Sequence, residues 1–134
     1  MEFHGGVEII EEAAFYGCRL FKGPIKMLGV KVIKAKAFVC CFGLTDVEFG
    51  AQLERIEDRA FQNCNALKKI RMPSVRTVGK AGFASCSELS DVEFGEGLRK
   101  LQIYAFNNCT KLKRIALPLK DNMIEDDVFS CSYG

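Results

Sequence analysis

Apolar and polar residues alternate along this chain in short phrases, and the phrases recur. The clearest follows Cys64, in Leu67-Lys68-Lys69-Ile70-Arg71-Met72-Pro73. Ile70 and Met72 lie two apart among charged residues, the period of a short strand with one buried face. Pro73 then ends the strand, because proline has no N–H to continue a ladder. The phrase returns as Leu44-Thr45-Asp46-Val47-Glu48-Phe49, as Leu89-Ser90-Asp91-Val92-Glu93-Phe94 and as Leu112-Lys113-Arg114-Ile115-Ala116-Leu117-Pro118, with Met1-Glu2-Phe3 in the equivalent place at the start. After each strand comes a pair of apolar residues three apart: Val7 and Ile10, Val30 and Ile33, Leu53 and Ile56, Val75 and Val78, Leu98 and Leu101. These pairs predict the inward residues of an extended second side, a minimal strand. A third phrase, Ala60-Phe61-Gln62-Asn63-Cys64, completes the unit. Ala60 and Cys64 are four apart, a spacing that shares one face of a helix. The stretch from Asp58 to Cys64 is therefore expected to be a single helical turn with Ala60, Phe61 and Cys64 facing in.

The third phrase sets the period. Its phenylalanines fall at 15, 38, 61, 83, 106 and 129, in steps of 23, 23, 22, 23 and 23 residues. Self-similarity at a period between about 20 and 50 residues marks a solenoid. The turn from Cys18 to Ile33 departs from the pattern, since Pro24 and Lys26 would be poor inward residues. A shift of one place puts Ile25 and Met27 inward and lets Pro24 open the strand. A two-turn super-repeat lies over the single one. Asp46-Val47-Glu48-Phe49-Gly50 returns as Asp91-Val92-Glu93-Phe94-Gly95, and Leu67-Lys68-Lys69-Ile70 as Leu112-Lys113-Arg114-Ile115, so acidic and basic strands alternate.

Composition narrows the classes of function. A net charge of +2 argues against nucleic acid as the default partner, since such domains carry a strongly basic face. No apolar run approaches the ~18 residues a membrane span needs. The start lacks the basic and apolar regions of a signal peptide. Of seven cysteines, most sit at the repeat period, where a thiol packs as a small buried hydrophobe. Disulfides between successive turns are the alternative, because turns ~4.8 Å apart fall within the permitted Cα range. With no Cys-x-x-Cys pair and His4 as the one histidine, a zinc site is not expected.

Outward strand residues are the natural binding surface of a solenoid. The candidates for partner contact are Asp46, Glu48, Lys69, Arg71, Asp91, Glu93 and Arg114, joined by Glu2 and Ala116. Their signs alternate from strand to strand, so the plainer reading is a charge ladder that holds register, each pair contributing ~0.2–1 kcal/mol. Glu8, Lys31, Glu54 and Arg76 alternate in the same way on the second side. Arg19, Lys22, Lys26, Lys31, Lys34 and Lys36 form a basic run that could draw an acidic partner, though such runs are usually solvated faces. Vicinal Cys40-Cys41 is a redox candidate only if exposed and thiolate-prone. Asn108-Cys109-Thr110 is a formal glycosylation sequon that overlaps a cysteine expected to be buried.

Leu67, Ile70, Met72, Pro73, Val75, Val78, Gly79, Phe83 and Cys86 carry a pattern that resembles the BspA-like, or treponemal-class, leucine-rich repeats. The resemblance extends over nearly the whole chain and lapses at residues 19–27 and at Cys131, which comes one residue early. It implies an α/β solenoid, a right-handed leucine-rich-repeat superhelix with a parallel sheet on its concave face and short helical turns opposite. It also implies a non-enzymatic, cofactor-free, adhesion-type module on a cell surface or secreted, binding a protein through the concave sheet. The alternative is a structural spacer without a ligand of its own. Residues 1–134 are then expected to form one solenoid of about five and a half repeats of 22–23 residues, either part of a longer array or stacking its ends on other copies. Lacking polar caps, Val7, Ile10 and Phe15 at one end and Ile124, Val128 and Phe129 at the other are expected to lie uncovered and to invite self-association.

Overall fold

A computed structural model of the protein describes residues 1–131. The chain coils as a β-solenoid with two parallel sheets. The longer strands are β2 (Gly23–Met27), β4 (Leu44–Phe49), β6 (Lys69–Met72), β8 (Asp91–Phe94) and β10 (Arg114–Ala116). They pair in parallel in the order β2-β4-β6-β8-β10, each one coil further on. The second side holds two-residue strands β1 (Ile9–Ile10), β3 (Val32–Ile33), β5 (Arg55–Ile56), β7 (Thr77–Val78) and β9 (Lys100–Leu101), again parallel and in chain order. The predicted minimal strands are these. Glu2 bridges to Lys26 and Leu101 to Ile124, extending the sheets by one contact each.

Strand β2 confirms the shifted phase. Ile25 and Met27 are buried and pair with Val47 and Phe49, with the register slipping between Gly23 and Pro24. Glycine recurs where the coil leaves the long strands because successive coils touch there. A Cβ on Gly50 or Gly95 would run into the carbonyl of Leu28 or Pro73 on the preceding coil.

The third side corrects the sequence reading. No helix is present among the described residues; Asp58 to Cys64 is a chain of tight turns. Local hydrogen bonds alternate with bonds to the next coil. Ala60, Gln62 and Cys64 N–H donate three residues back, to Glu57, Arg59 and Phe61 carbonyls. Arg59, Phe61 and Asn63 N–H donate instead to Lys80, Gly82 and Ala84 at 2.8–2.9 Å. Half the donors a helix would use are thus committed across coils. The backbone pays with two left-handed residues per coil, at the positions two before and two after each phenylalanine. In successive coils they are Ala13 and Gly17, Lys36 and Cys40, Arg59 and Asn63, Ala81 and Ser85, Tyr104 and Asn108, Asp127 and Cys131, with φ of 55–65°. A right-handed helix cannot contain such residues.

What compensates is the core. Phe38, Phe61, Phe83 and Phe106 are fully buried and stacked, with centroids 5.0–5.3 Å apart and planes within 5° of parallel. The spacing is that of neighbouring strands, so the ladder sets the stack. Beside it runs a column of thiols. Cys41, Cys64, Cys86 and Cys109 are buried, and each Sγ–H donates to the carbonyl of a phenylalanine one coil back, Phe15, Phe38, Phe61 and Phe83, at 3.1–3.2 Å. Cysteine suits the place because it is small, apolar and still carries one weak donor. All seven cysteines are free thiols.

At the ends, Ile124 is 43% exposed as expected, but Ile10 and Val128 are buried at 4% and 1%. Inward side chains are sealed sideways by their own coil as well as by a neighbour. Phe15 is half-buried because Phe3 stacks on it at 5.4 Å and Phe21 meets it edge-on at 5.0 Å.

Candidate functional site

In each long strand the pleat sends alternate side chains in and out. Val47, Ile70 and Val92 go to the core, and their charged neighbours go to solvent. Parallel pairing then lines the outward residues into two columns. One runs Glu2, Lys26, Glu48, Arg71, Glu93, Ala116; the other Pro24, Asp46, Lys69, Asp91, Arg114. All seven sequence-derived candidates stand on this face, Asp91 and Glu93 half-buried and the other five exposed. Lys26 belongs to the face too. Its signal was the shifted phase of Ile25 and Met27, which turns Lys26 outward.

Ion pairs form along the columns, but not evenly. Lys26 meets Glu48 at 3.9 Å and Arg71 meets Glu93 at 3.9 Å. Arg114 donates to Asp91 at 2.7 Å and lies 3.6 Å from Glu93. The hydrogen bond to Asp91 holds the Arg114 proton more firmly than usual. Between β4 and β6, among the described residues, no ion pair closes within 4.0 Å, although Asp46 faces Lys69 and Glu48 faces Arg71 in register. A shallow depression of about 520 Å³ opens there, lined by Asp46, Val47, Glu48, Phe49, Lys69, Ile70, Arg71 and Pro73. One bank is acidic and the other basic. The arrangement can recognise charge of both signs.

The remaining candidates settle into structural places. Glu8, Lys31, Glu54 and Arg76 follow one another by backbone bonds, and Lys31 pairs with Glu8 at 3.4 Å. Within the basic run Lys26, Lys31 and Lys34 each meet a glutamate, while Arg19, Lys22 and Lys36 have no ion pair among the described residues. His4 Nδ1 accepts the Gly6 N–H at 3.0 Å and closes a turn. Cys40 is half-buried, its sulfur 3.8 Å from the Asn63 amide. Asn108 and Thr110 are exposed, with the Cys109 between them buried. Among the described residues no group of three or more His, Cys, Asp or Glu could hold a metal ion, and no helix is long and apolar enough to cross a membrane.

Burial pushes the Cys41 thiol up to about 11 and that of Cys109 to about 12, and raises Cys64 and Cys86 well above the ordinary thiol range. These thiols are both shielded and protonated at neutral pH. Iodoacetamide should therefore label exposed Cys131 readily and leave Cys64, Cys86 and Cys109 unmodified until denaturant is added. Rapid native labelling of all three would show the column to be open.

The family model of the BspA-type leucine-rich repeat region matches in six copies, over residues 1–72 and 31–133. A leucine-rich repeat protein of T. pallidum superposes with a TM-score of 0.76 at 30% identity, over 81% of this chain and 51% of that one. A leucine-rich cell surface protein of Faecalibacterium prausnitzii gives 0.82 at 27% identity, over 100% of this chain and 35% of that one. The pneumococcal vaccine antigen PcpA, at 19% identity and a TM-score of 0.75 over 92% of this chain and 31% of that one, shares the fold. The chain thus spans between about a third and about half the length of these proteins. Among curated proteins none matches the sequence.

Proposed function

This chain belongs to the BspA-type leucine-rich-repeat family, and on that premise we propose that it is a non-enzymatic module that binds a protein partner through the outward face of its long-strand sheet. The observation that carries the reading is the depression between β4 and β6, where register partners Asp46 and Lys69 face each other with no ion pair between them. A face serving only as an internal charge ladder would pair its rungs throughout, as it does from β8 to β10. The long exposed pairs that flank the depression contribute little to stability and can exchange for contacts with a partner. Adhesion at a cell surface, and membership of a longer array, extend the proposal by likeness to the cell surface protein and to the greater length of the similar structures.

The test is face-dependent capture. The immobilised chain should retain a defined protein from cell extract, and reversing Lys69→Glu with Arg71→Glu should cut recovery at least about tenfold. Reversing Lys31→Glu with Arg76→Glu, on the other side, should leave recovery unchanged. Equal capture by all three forms, or none by any, removes this reading and leaves the spacer role.

A further inference from the structure

We propose that the groove between β4 and β6 takes an extended segment of the partner in which basic and acidic residues alternate, the basic side chains against Asp46 and Glu48 and the acidic ones against Lys69 and Arg71. This rests on the sheet face being the partner-binding surface and specifies the chemistry of what lies on it.

The argument is one of period. Asp46 and Glu48 stand two residues apart on the β4 bank, and Lys69 and Arg71 two apart on the β6 bank, in register across the groove. Residues i and i+2 of a strand share a face about 6.7 Å apart. A partner segment laid along the groove in extended form has the same period, with odd residues turned to one bank and even residues to the other. Lys-Glu-Lys-Glu then sets two cations against the acidic bank and two carboxylates against the basic bank, in step. Lys-Lys-Glu-Glu has the same composition but places one like charge on each bank and cancels its own gain. A helical segment, with 3.6 residues per turn, falls out of step. A ligand of one sign, such as a nucleic acid, is repelled by one bank.

The bank charges are free to engage. Asp46 and Lys69 have no ion pair within 4.0 Å among the described residues, and the Arg71 side chain is 85% exposed in its 3.9 Å contact with Glu93. Glu48 is likewise held by one 3.9 Å contact, to a Lys26 side chain that is 53% exposed. At the end of the groove the exposed ring of Pro73 offers apolar surface to the stem of a lysine or glutamate.

Two fluorescein-labelled peptides of equal composition decide it, one with three Lys-Glu repeats and one with three lysines followed by three glutamates, each flanked by glycines. In anisotropy titrations at low ionic strength the alternating peptide should bind about tenfold tighter, with the difference shrinking as salt is added. The double variant Asp46→Asn, Lys69→Gln should lose most of that preference, and Lys31→Gln should keep it. Equal binding of the two peptides, no binding of the alternating one, or an unchanged preference in the double variant overturns the proposal. Partner capture that depends on Lys69 and Arg71 without any peptide preference would overturn the groove chemistry alone and leave the proposed function standing.

Discussion

Replacing Phe61 with alanine is expected to lower the stability of this protein by about 3–5 kcal/mol, the usual loss for a buried aromatic. Phe61 is fully buried, stacked on Phe38 at 5.0 Å and on Phe83 at 5.1 Å, with Phe49 edge-on at 6.1 Å. The substitution opens a cavity in the middle of the stack and weakens the coupling of coils on both sides. In a solenoid, stability is a sum over coils and their nearest-neighbour interfaces. A loss of about 4 kcal/mol should lower the melting temperature by roughly 15 °C for a chain of this size. Phe83→Ala removes two stacked neighbours, at 5.1 Å and 5.3 Å, but no edge-on ring. It should therefore cost less, by the ~0.5–1.5 kcal/mol that an aromatic pair adds beyond its buried area. Differential scanning calorimetry of both variants tests the order. A Phe61→Ala melting temperature within about 2 °C of the parent would show that the stack contributes nothing to cohesion.

Alkaline pH should unfold the chain through its thiol column. In the unfolded chain the thiols ionise near their ordinary ~8.5. In the folded chain Cys41 keeps its proton to about 11 and Cys109 to about 12, while Cys64 and Cys86 are raised as well, all chiefly by burial. Below pH ~8.5 both states carry the protons and this source gives no pH dependence. Above it the folded state binds more protons than the unfolded one, so stability falls as pH rises until the folded thiols themselves ionise. Each thiol contributes a slope of about 1.4 kcal/mol per pH unit, and the four together roughly 5. For a domain of ordinary stability that places the unfolding midpoint between about pH 9.5 and 11.5. Tyrosine and lysine also titrate there, so the slope is the diagnostic. Urea titrations between pH 9 and 10 should show about four protons released on unfolding, and about three for Cys86→Ala. Stability that stays flat to pH 11, or a slope that Cys86→Ala leaves unchanged, would contradict the column.

The sequence by itself determined the period, the phase and what faces in. Phenylalanine at a step of 22–23 residues, the strand pairs Ile70 and Met72, and the apolar pairs such as Leu53 and Ile56 each fix one inward position on a coil, because burial has no other way to repeat so regularly. In the irregular second coil the strand phase was legible, since Ile25 and Met27 suit inward positions better than Pro24 and Lys26, but the burial of Phe21 was not. The tertiary structure decided the corner and the pairing of charges. Within Asp58 to Cys64 nothing distinguishes a helical turn from tight turns, because both bury Ala60, Phe61 and Cys64. The choice falls to the carbonyls of Lys80, Gly82 and Ala84 on the next coil, which offer donors at Arg59, Phe61 and Asn63 partners that an isolated turn lacks. In the same way, alternation of sign gave every neighbouring strand an equal claim to a pair. Side-chain reach on the stacked coils selected Lys26 with Glu48, Arg71 with Glu93 and Arg114 with Asp91, and left the space between β4 and β6 open. Burial is a property each residue carries along the chain; a hydrogen bond or an ion pair needs a second group, whose place only the folded coils supply.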